Sequence, residues 1–211
     1  MTRMRPLYRV SRKITQVLFW LGLRGRVFGT HHVPRTGGVL LLCNHQSFFD
    51  PMLATLALPR ECSYMARDTL FENPRFRKII EAYNAFPIKR GTADLRGIKE
   101  ALRRLRGGWL VTTFPEGTRS VDGSIGEMHP GSVLLARKAG VPIVPAAIIG
   151  AYKAWPRHAR RPRPVPVVVA YGEPLWPEQM AELSDEAAIA IVRDRIVALY
   201  RRYEGHPALR R

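Results

Sequence analysis

The chain has 211 residues, of which 34 are Lys or Arg and 17 are Asp or Glu, so its formal net charge is +17 at pH 7. This length suits one domain with its own hydrophobic core, and the two cysteines, Cys43 and Cys62, exclude a disulfide framework and indicate a reducing compartment. The charge favours an acidic partner, but nucleic acid and an anionic lipid surface both attract basic proteins, so composition leaves the two open. Basic residues are densest in three clusters, at residues 3–13, 157–163 and 201–211.

The first segment, residues 1–28, mixes basic residues with apolar residues at helical spacing and with the aromatic pair Phe19 and Trp20. Its longest uninterrupted apolar run, from Val17 to Leu23, is about a third of the ~20 residues that a membrane-spanning helix needs. The pattern predicts a basic amphipathic helix that lies in the headgroup region of a membrane. The alternative is an amphipathic helix docked on its own domain. A signal peptide is disfavoured, because no small-x-small cleavage site follows.

Residues 29–211 show short apolar runs separated by amphipathic segments, which is typical of a single α/β domain. The runs GVLLLC and VPVVVA lack alternation, which favours strands covered on both faces and a mostly parallel or mixed sheet flanked by helices. Predicted strands cover residues 39–43, 63–66, 85–88, 109–114, 143–148 and 165–170. Predicted helices cover residues 52–58, 75–83, 93–106, 132–139 and 185–203, and the segment WPRHARRPRPVP is predicted to be a long surface loop.

His45 and Asp50 directly follow the first predicted strand, in the stretch CNHQSFFDP. On one continuous helix five residues turn about 500°, so these two side chains would face apart and must instead straddle an element boundary. Pro51 favours a first helical position, which makes Asp50 or Ser47 a candidate N-cap and places His45 in the preceding turn. There the carboxylate can hold one imidazole nitrogen and leave the other free to accept a proton. The position after a buried strand is where α/β sheets present their ligand crevice.

The stretch TFPEGTRS, residues 113–120, also follows an apolar run. Arg119 offers a fork of donors, and the tight loop of Gly117 and Thr118 exposes backbone N–H groups, which together suit a phosphate or a carboxylate. Glu116 could orient Arg119 for that purpose. The alternative is a turn in which Glu116 and Arg119 form a structural ion pair.

Two looser stretches follow the same pattern. AFPIKRG puts Lys89 and Arg90 at the end of another predicted strand. GVPIVPAAI combines prolines with apolar residues, a composition suited to lining an acyl channel or to ordinary core packing. The candidate channel residues are Val141, Pro142, Ile143 and Pro145.

Taken in order, NHQSFFD, FPIKRG, FPEGTRS and VPIVPAAI resemble the four blocks of the glycerolipid acyltransferases, specifically the bacterial 1-acyl-sn-glycerol-3-phosphate acyltransferase type, over about residues 25–175. The resemblance implies the glycerolipid acyltransferase fold and a catalytic His45 and Asp50. It implies contacts to the acceptor phosphate from Arg90 and from the loop of Glu116 to Arg119. A contact from Lys89 to the same phosphate is our own hypothesis. It also implies an acyl donor carried as a thioester on coenzyme A or acyl carrier protein, with no cofactor.

In the implied reaction His45 takes the proton of a glycerol hydroxyl as that oxygen attacks the thioester carbonyl, and Asp50 stabilises the imidazolium. No acyl-enzyme is required, since no Ser or Cys in the motif is placed as an activated nucleophile. Backbone N–H groups near Gly117 or the Lys89 ammonium could stabilise the oxyanion. We expect a lysophospholipid acceptor and an anionic membrane surface as partners, at the cytoplasmic face of the cell membrane in a peripheral or monotopic arrangement.

Two alternative functions are considered. An acyltransferase for another lysolipid or an amino-lipid would share the same motifs. A basic nucleic-acid-binding module would need a basic helix or an aromatic sheet face with base-reading residues, and neither is evident, so we expect no nucleic acid partner. The remaining histidines show no ligand spacing, so we also expect no metal site.

Overall fold

The computed structural model describes residues 6–89 and 94–210, in which seven strands and eight α-helices are found. The strands are β1 (Arg26–Phe28), β2 (Val39–Cys43), β3 (Cys62–Arg67), β4 (Ala85–Ile88), β5 (Leu110–Thr113), β6 (Ile143–Ile149) and β7 (Val168–Tyr171). The helices are α1 (Pro6–Val17), α2 (Asp50–Leu53), α3 (Pro74–Ala82), α4 (Leu95–Arg106), α5 (Gly131–Ala139), α6 (Ala151–Ala154), α7 (Pro177–Ala181) and α8 (Asp185–Glu204).

The strands form one mixed sheet in the order β1-β7-β6-β2-β5-β3-β4. All neighbouring pairs are parallel except β6 and β7, so β2 to β6 run in one direction and β1 and β7 run in the other. The carboxyl ends of β2, β5 and β6 therefore meet side by side at one edge of the sheet, where open α/β sheets bind their ligands. The expected α/β fold with a mixed sheet flanked by helices is confirmed.

Both faces of β2 are buried, which explains why its sequence lacks alternation. Leu41 and Cys43 belong to the core cluster on the side of α2, and Leu40 and Leu42 belong to the cluster beneath α4, α5 and α8. All four side chains are 0% exposed. Each leucine buried in this way contributes about 1.5–3 kcal/mol, so the strand that carries the site is anchored from two sides.

The predicted helix over residues 52–58 is wrong in extent, because α2 ends at Leu53 and a series of turns follows. Pro59 disfavours helical geometry at Leu58, the last residue of the predicted helix, but it does not account for the end at Leu53. The strand predicted over residues 165–170 begins three residues later in the structure, at Val168. Pro164 and Pro166 have no N–H to donate to a neighbouring strand. The short edge strand β1 was not predicted, since three residues are too few to show a periodic pattern.

The amino-terminal helix α1 docks on the domain and continues as a π-helical turn over Leu18–Gly22. The Gln16 amide and the Arg12 guanidinium both donate to the carbonyl of Leu56, at 2.7 and 3.2 Å, and Phe19 is 1% exposed. The other side of this segment is exposed and apolar, and its residues are Val10, Ile14, Val17, Trp20 and Leu21. Among the described helices, none is both long enough and apolar enough to cross a bilayer.

Candidate active site

The turn after β2 brings His45 and Asp50 together. Nδ1 of His45 lies 2.8 Å from Oδ2 of Asp50, and the same carboxylate oxygen accepts the N–H groups of Gln46 and Ser47, each at 2.6 Å. An ionised carboxylate can only accept hydrogen bonds, so Nδ1 carries the imidazole proton and Nε2 is left as the acceptor. This is the arrangement that a general base requires.

The helix cap differs in detail from the sequence expectation. Phe49 is the capping residue and Asp50 is the first residue of α2, so the carboxylate folds back over the turn instead of capping the helix. Ser47 Oγ accepts the N–H of Phe49 at 3.2 Å and donates to the carbonyl of Trp155 at 3.0 Å. The turn is thereby tied to the segment that follows α6.

The imidazole is largely shielded from solvent. His45 is 8% exposed and Asp50 is 0% exposed. The ring of Phe114, the residue after β5, stacks on the imidazole with 4.1 Å between centroids and 21° between planes. Oδ1 of Asp50 has no hydrogen-bond partner among the described residues. Packing on one ring face and a carboxylate at Nδ1 together fix the orientation of the imidazole.

Asn44 holds the end of β2 against β6. Its side chain accepts the N–H of Ile148 at 2.8 Å and donates to the carbonyl of the same residue at 3.0 Å. The amide therefore continues the sheet pairing one residue beyond the last strand position. This contact fixes where the chain leaves the sheet, immediately before His45.

Glu116 fastens the loop after β5 to the turn after β2. Its Oε1 accepts the backbone N–H of His45 at 2.7 Å, and its Oε2 accepts the N–H of Gly126 at 3.0 Å. The N–H of Ser120 donates to the carbonyl of His45 at 2.8 Å. Both oxygens of Glu116 thus accept hydrogen bonds from backbone N–H groups, and one of these belongs to the predicted base, His45. The sequence did not predict this contact.

Burial raises the pKa of the Glu116 carboxyl above its usual value of 4.5, while the N–H groups of Gly126 and His45 partly oppose the shift. Arg193, on α8, supports this loop from outside by donating to the carbonyl of Gly126 at 3.1 Å. Hydrogen bonds through Gly126 and Glu116 therefore connect Arg193 of α8 to the backbone of His45.

The predicted phosphate loop places Arg119 beside the turn after β2. The guanidinium carbon lies 3.6 Å from the centroid of the Phe48 ring, which is itself 44% exposed. Gly117 adopts φ +71°, and its N–H donates to the carbonyl of Phe114 at 3.1 Å, which counts against this N–H as an oxyanion donor. Thr118 is exposed. Arg119 is thus 74 residues from His45 in sequence but lies at the same edge of the sheet.

Lys89 lies at this edge too, but at a distance from His45. It follows β4, which is the third strand from β2 in the sheet. Neighbouring strands are about 4.8 Å apart, so β4 and β2 are separated by about 14 Å. Its backbone N–H donates to Asp94 at 2.8 Å and its side chain is exposed. This distance disfavours Lys89 as the oxyanion donor. Arg90, the partner that the resemblance implies, lies outside the described residues.

The four candidate acyl-channel residues, Val141, Pro142, Ile143 and Pro145, are all buried. They lie at the amino end of β6, with Ile143 paired to Leu40, whereas His45 follows the carboxyl end of β2. Val141 and Ile143 belong to the core cluster beneath α4, α5 and α8. Their position favours the alternative of core packing over an acyl channel.

Comparison with known proteins identifies the family of the chain. The chain matches the acyltransferase family over residues 24–149. A 1-acyl-sn-glycerol-3-phosphate acyltransferase of Bacillus subtilis is 27% identical over 179 residues, which cover 83% of this chain and 87% of that protein. A protein of the same name from Cocos nucifera is 30% identical over 147 residues, which cover 66% of this chain and 48% of that longer protein.

A solved structure is similar over most of the chain. The crystal structure of a 1-acyl-sn-glycerophosphate acyltransferase from Thermotoga maritima matches with a TM-score of 0.82 and 26% sequence identity. The match covers 94% of this chain and 80% of that chain. The similarity therefore includes the segments before and after the matched family region.

The raised pKa of Glu116 predicts a specific pH dependence of stability. Below its usual pKa the carboxyl is neutral in the folded and unfolded chains alike. As the pH rises, the unfolded chain ionises first, so the free energy of unfolding of the wild type should fall relative to Glu116→Gln until the pH passes the raised pKa. Denaturant unfolding of both proteins from pH 4 to pH 8 measures this difference, and a wild type that gains stability relative to Glu116→Gln as the pH rises would contradict the assignment.

Proposed function

The chain belongs to the acyltransferase family, and from that premise we propose that it transfers a fatty acyl group from an acyl thioester to the free hydroxyl of 1-acyl-sn-glycerol 3-phosphate, giving phosphatidic acid. The observation that carries the proposal is the 2.8 Å contact between His45 Nδ1 and Asp50 Oδ2 at the ligand-binding edge of the sheet. Relatives that carry the name of this activity support the choice of acceptor.

The chemistry follows from the state in which the imidazole is held. Nε2 of His45 takes the proton of the acceptor hydroxyl as the oxygen forms a bond to the thioester carbonyl carbon. Asp50 stabilises the imidazolium that results, as a carboxylate does for a catalytic histidine elsewhere. When the carbon–sulfur bond breaks, the imidazolium returns the proton to the thiolate, so that the products are an ester and a free thiol. The base is regenerated in each cycle.

The acceptor phosphate would be held by Arg119, together with Arg90. A guanidinium offers paired donors that match phosphate oxygens. Stacking on Phe48 restricts where the Arg119 guanidinium can go, and this reduces the entropy lost when the phosphate binds. Binding energy at the charged end of the acceptor thereby positions the hydroxyl at the other end against Nε2.

The exposed side of α1 would place the enzyme on an anionic membrane at the cytoplasmic face, as a peripheral or monotopic protein. Its apolar residues Ile14 and Val17 project away from the domain, and the basic residues Arg9 and Lys13 are exposed on the same helix. An apolar stripe with flanking positive charge is typical of helices that lie in the headgroup region. The acceptor, lysophosphatidate, and the product, phosphatidic acid, are both membrane lipids.

Removal of the base should abolish most turnover while the fold is kept. We expect His45→Ala to lower kcat by at least ~10³-fold with acyl-CoA and lysophosphatidate, and Asp50→Asn by roughly 10²-fold or more. Because the two side chains act as a unit, the double variant should be no slower than His45→Ala alone. His31→Ala, on an exposed turn, serves as the control. Wild-type turnover by a folded His45→Ala protein would refute the assigned base.

Replacement of Arg119 should discriminate between acceptors. Hydrogen bonds to charged groups contribute about 1.5–3 kcal/mol, so Arg119→Ala should lower kcat/KM for lysophosphatidate by roughly 10- to 100-fold. Turnover of a neutral monoacylglycerol should change far less. Steady-state assays over a panel of lysolipids measure the ratio. Equal losses with charged and neutral acceptors would speak against phosphate binding by Arg119.

Polar substitution on the exposed side of α1 and of the π-helical turn that follows it should weaken membrane binding. We expect the variant Val10→Ser, Ile14→Ser and Leu21→Ser to lose most of its co-sedimentation with phosphatidylglycerol vesicles, because less apolar surface is available for burial in the headgroup region. A control on another helix replaces two exposed apolar residues of α3, Phe76 and Ile79, by Ser. If the α1 variant pellets with vesicles as the wild type does, this face is not the membrane contact.

A further inference from the structure

We propose that a cationic groove beside the catalytic turn binds the phosphates of coenzyme A when the acyl donor is acyl-CoA. We call it the arginine groove, and the residues that define it are Tyr152, Lys153, His158, Arg160, Arg161 and Arg163. It contains the densest part of the central basic cluster of the sequence, to which the proposed reaction assigns no role. The inference rests on the proposed acyl transfer and names the part of the donor that is recognised.

The arginine groove is shaped by hydrogen bonds within the loop that follows α6. The N–H of Arg163 donates to the carbonyl of Ala154 at 2.7 Å, which folds the far end of the loop back onto the helix. Inside the loop, the indole N–H of Trp155 donates to the carbonyl of Ala159 at 3.1 Å. The result is a groove of about 1060 Å³, just above the range of ~300–1,000 Å³ for pockets that hold a small molecule.

The charge of the arginine groove is not neutralised by its surroundings. Among the described residues, no carboxylate forms an ion pair with Lys153 or with the groove arginines, since the ion pairs found there involve other cations. Asp122 and Glu204 line an adjoining cavity of about 710 Å³ that shares Tyr152 and Lys153, so the acidic groups stand at one end. Guanidinium groups are the preferred partners of phosphate because they present paired donors in a fixed plane.

Tyr152 supplies a surface for the nucleotide base. Its hydroxyl donates to the carbonyl of Val121 at 2.7 Å, and its ring lies 6.1 Å from that of His158 in an edge contact. The ring is therefore held in place and lies next to the cationic side chains. Aromatic rings that are fixed beside a positively charged groove stack nucleotide bases.

Two contacts connect the arginine groove to His45. The carbonyl of Trp155, where the groove loop begins, accepts the Ser47 hydroxyl at 3.0 Å and the N–H of Phe48 at 3.2 Å. On the other side the carbonyl of Gly123, which packs against the Tyr152 ring, accepts the side-chain amide of Gln46. Both contacts end on residues that directly follow His45. A donor whose phosphates lie in the groove could therefore extend its pantetheine arm along this turn to bring the thioester to the base.

The shape and charge favour this ligand over the other anions that an acyltransferase meets. A membrane surface is contacted by a projecting apolar face with basic flanks, which is what α1 offers, whereas the groove is concave and its arginines belong to a folded-back loop. Coenzyme A carries a 5′-diphosphate, a 3′-phosphate and an adenine base. The groove offers cationic side chains for the phosphates and the ring of Tyr152 for the base.

The test compares acyl donors that share the thioester but differ in phosphates. The triple variant Arg160→Gln, Arg161→Gln and Arg163→Gln is assayed in the full chain with acyl-CoA, acyl-3′-dephospho-CoA and acyl-pantetheine. We expect the KM for acyl-CoA to rise by about tenfold or more with little change in kcat, because charge-assisted hydrogen bonds to the phosphates are lost. The rise should be smaller with the dephospho donor and absent with acyl-pantetheine. The control variant carries Arg35→Gln, Arg106→Gln and Arg201→Gln, which removes the same charge from exposed positions elsewhere.

Other outcomes would overturn the proposal. An unchanged KM for acyl-CoA, or an equal rise for acyl-pantetheine, would mean that the groove does not bind the phosphates. A loss seen only with acyl carrier protein as donor would assign the surface to that acidic protein, and a loss of vesicle binding alone would assign it to lipid. Calorimetric titration with coenzyme A itself should show at least about tenfold weaker binding by the triple variant. Since titration needs no turnover, it tests the groove even if the proposed reaction fails.

Discussion

The structure of the site depends on one carboxylate oxygen. Oδ2 of Asp50 accepts hydrogen bonds from the imidazole of His45 and from the backbone of Gln46 and Ser47, so a single acceptor closes the turn and selects the tautomer. Because the group is fully buried, water does not compete for these donors, and in a low dielectric each bond is electrostatically stronger than at the surface. The geometry of the proposed base is therefore set before any substrate binds, which is the general condition for efficient proton transfer.

Parallel pairing then brings distant segments to this turn. Adjacent strands β2 and β5 release their loops at the same edge, and Glu116 joins the two loops by accepting the N–H of His45 across 71 positions of sequence. Phe114 from the same loop covers one face of the imidazole. Asn44 adds the tie to β6. The turn that carries His45 is thus bound on both sides by neighbouring strands of a sheet whose central strand is buried on both faces.

Residues close together in sequence could be interpreted before the structure was known, and residues far apart could not. The strand ending at Cys43, Pro51 and the spacing of His45 and Asp50 together predicted the bend that the structure contains. The contact of Glu116 with His45 depends on which strands are neighbours, and hydrophobic periodicity does not encode strand order. The same limit explains the candidate acyl channel, since an apolar run such as residues 141–145 has one composition whether it lines a tunnel or fills a core.

The attachment of α1 has a consequence for how the domain would sit on a surface. Gln16 and Arg12 both bond to the carbonyl of Leu56, and this carbonyl lies just beyond the short helix that begins with Asp50. An anchor joined by a flexible linker would let the domain tumble, whereas a helix bonded through its inner side cannot rotate about its axis without breaking these bonds. A surface that took up the outer side of α1 would therefore hold the mouth of the site at a constant tilt and height. The acceptor would then reach the site by lateral diffusion within the membrane, and the orientation of the domain would already be correct when it arrives.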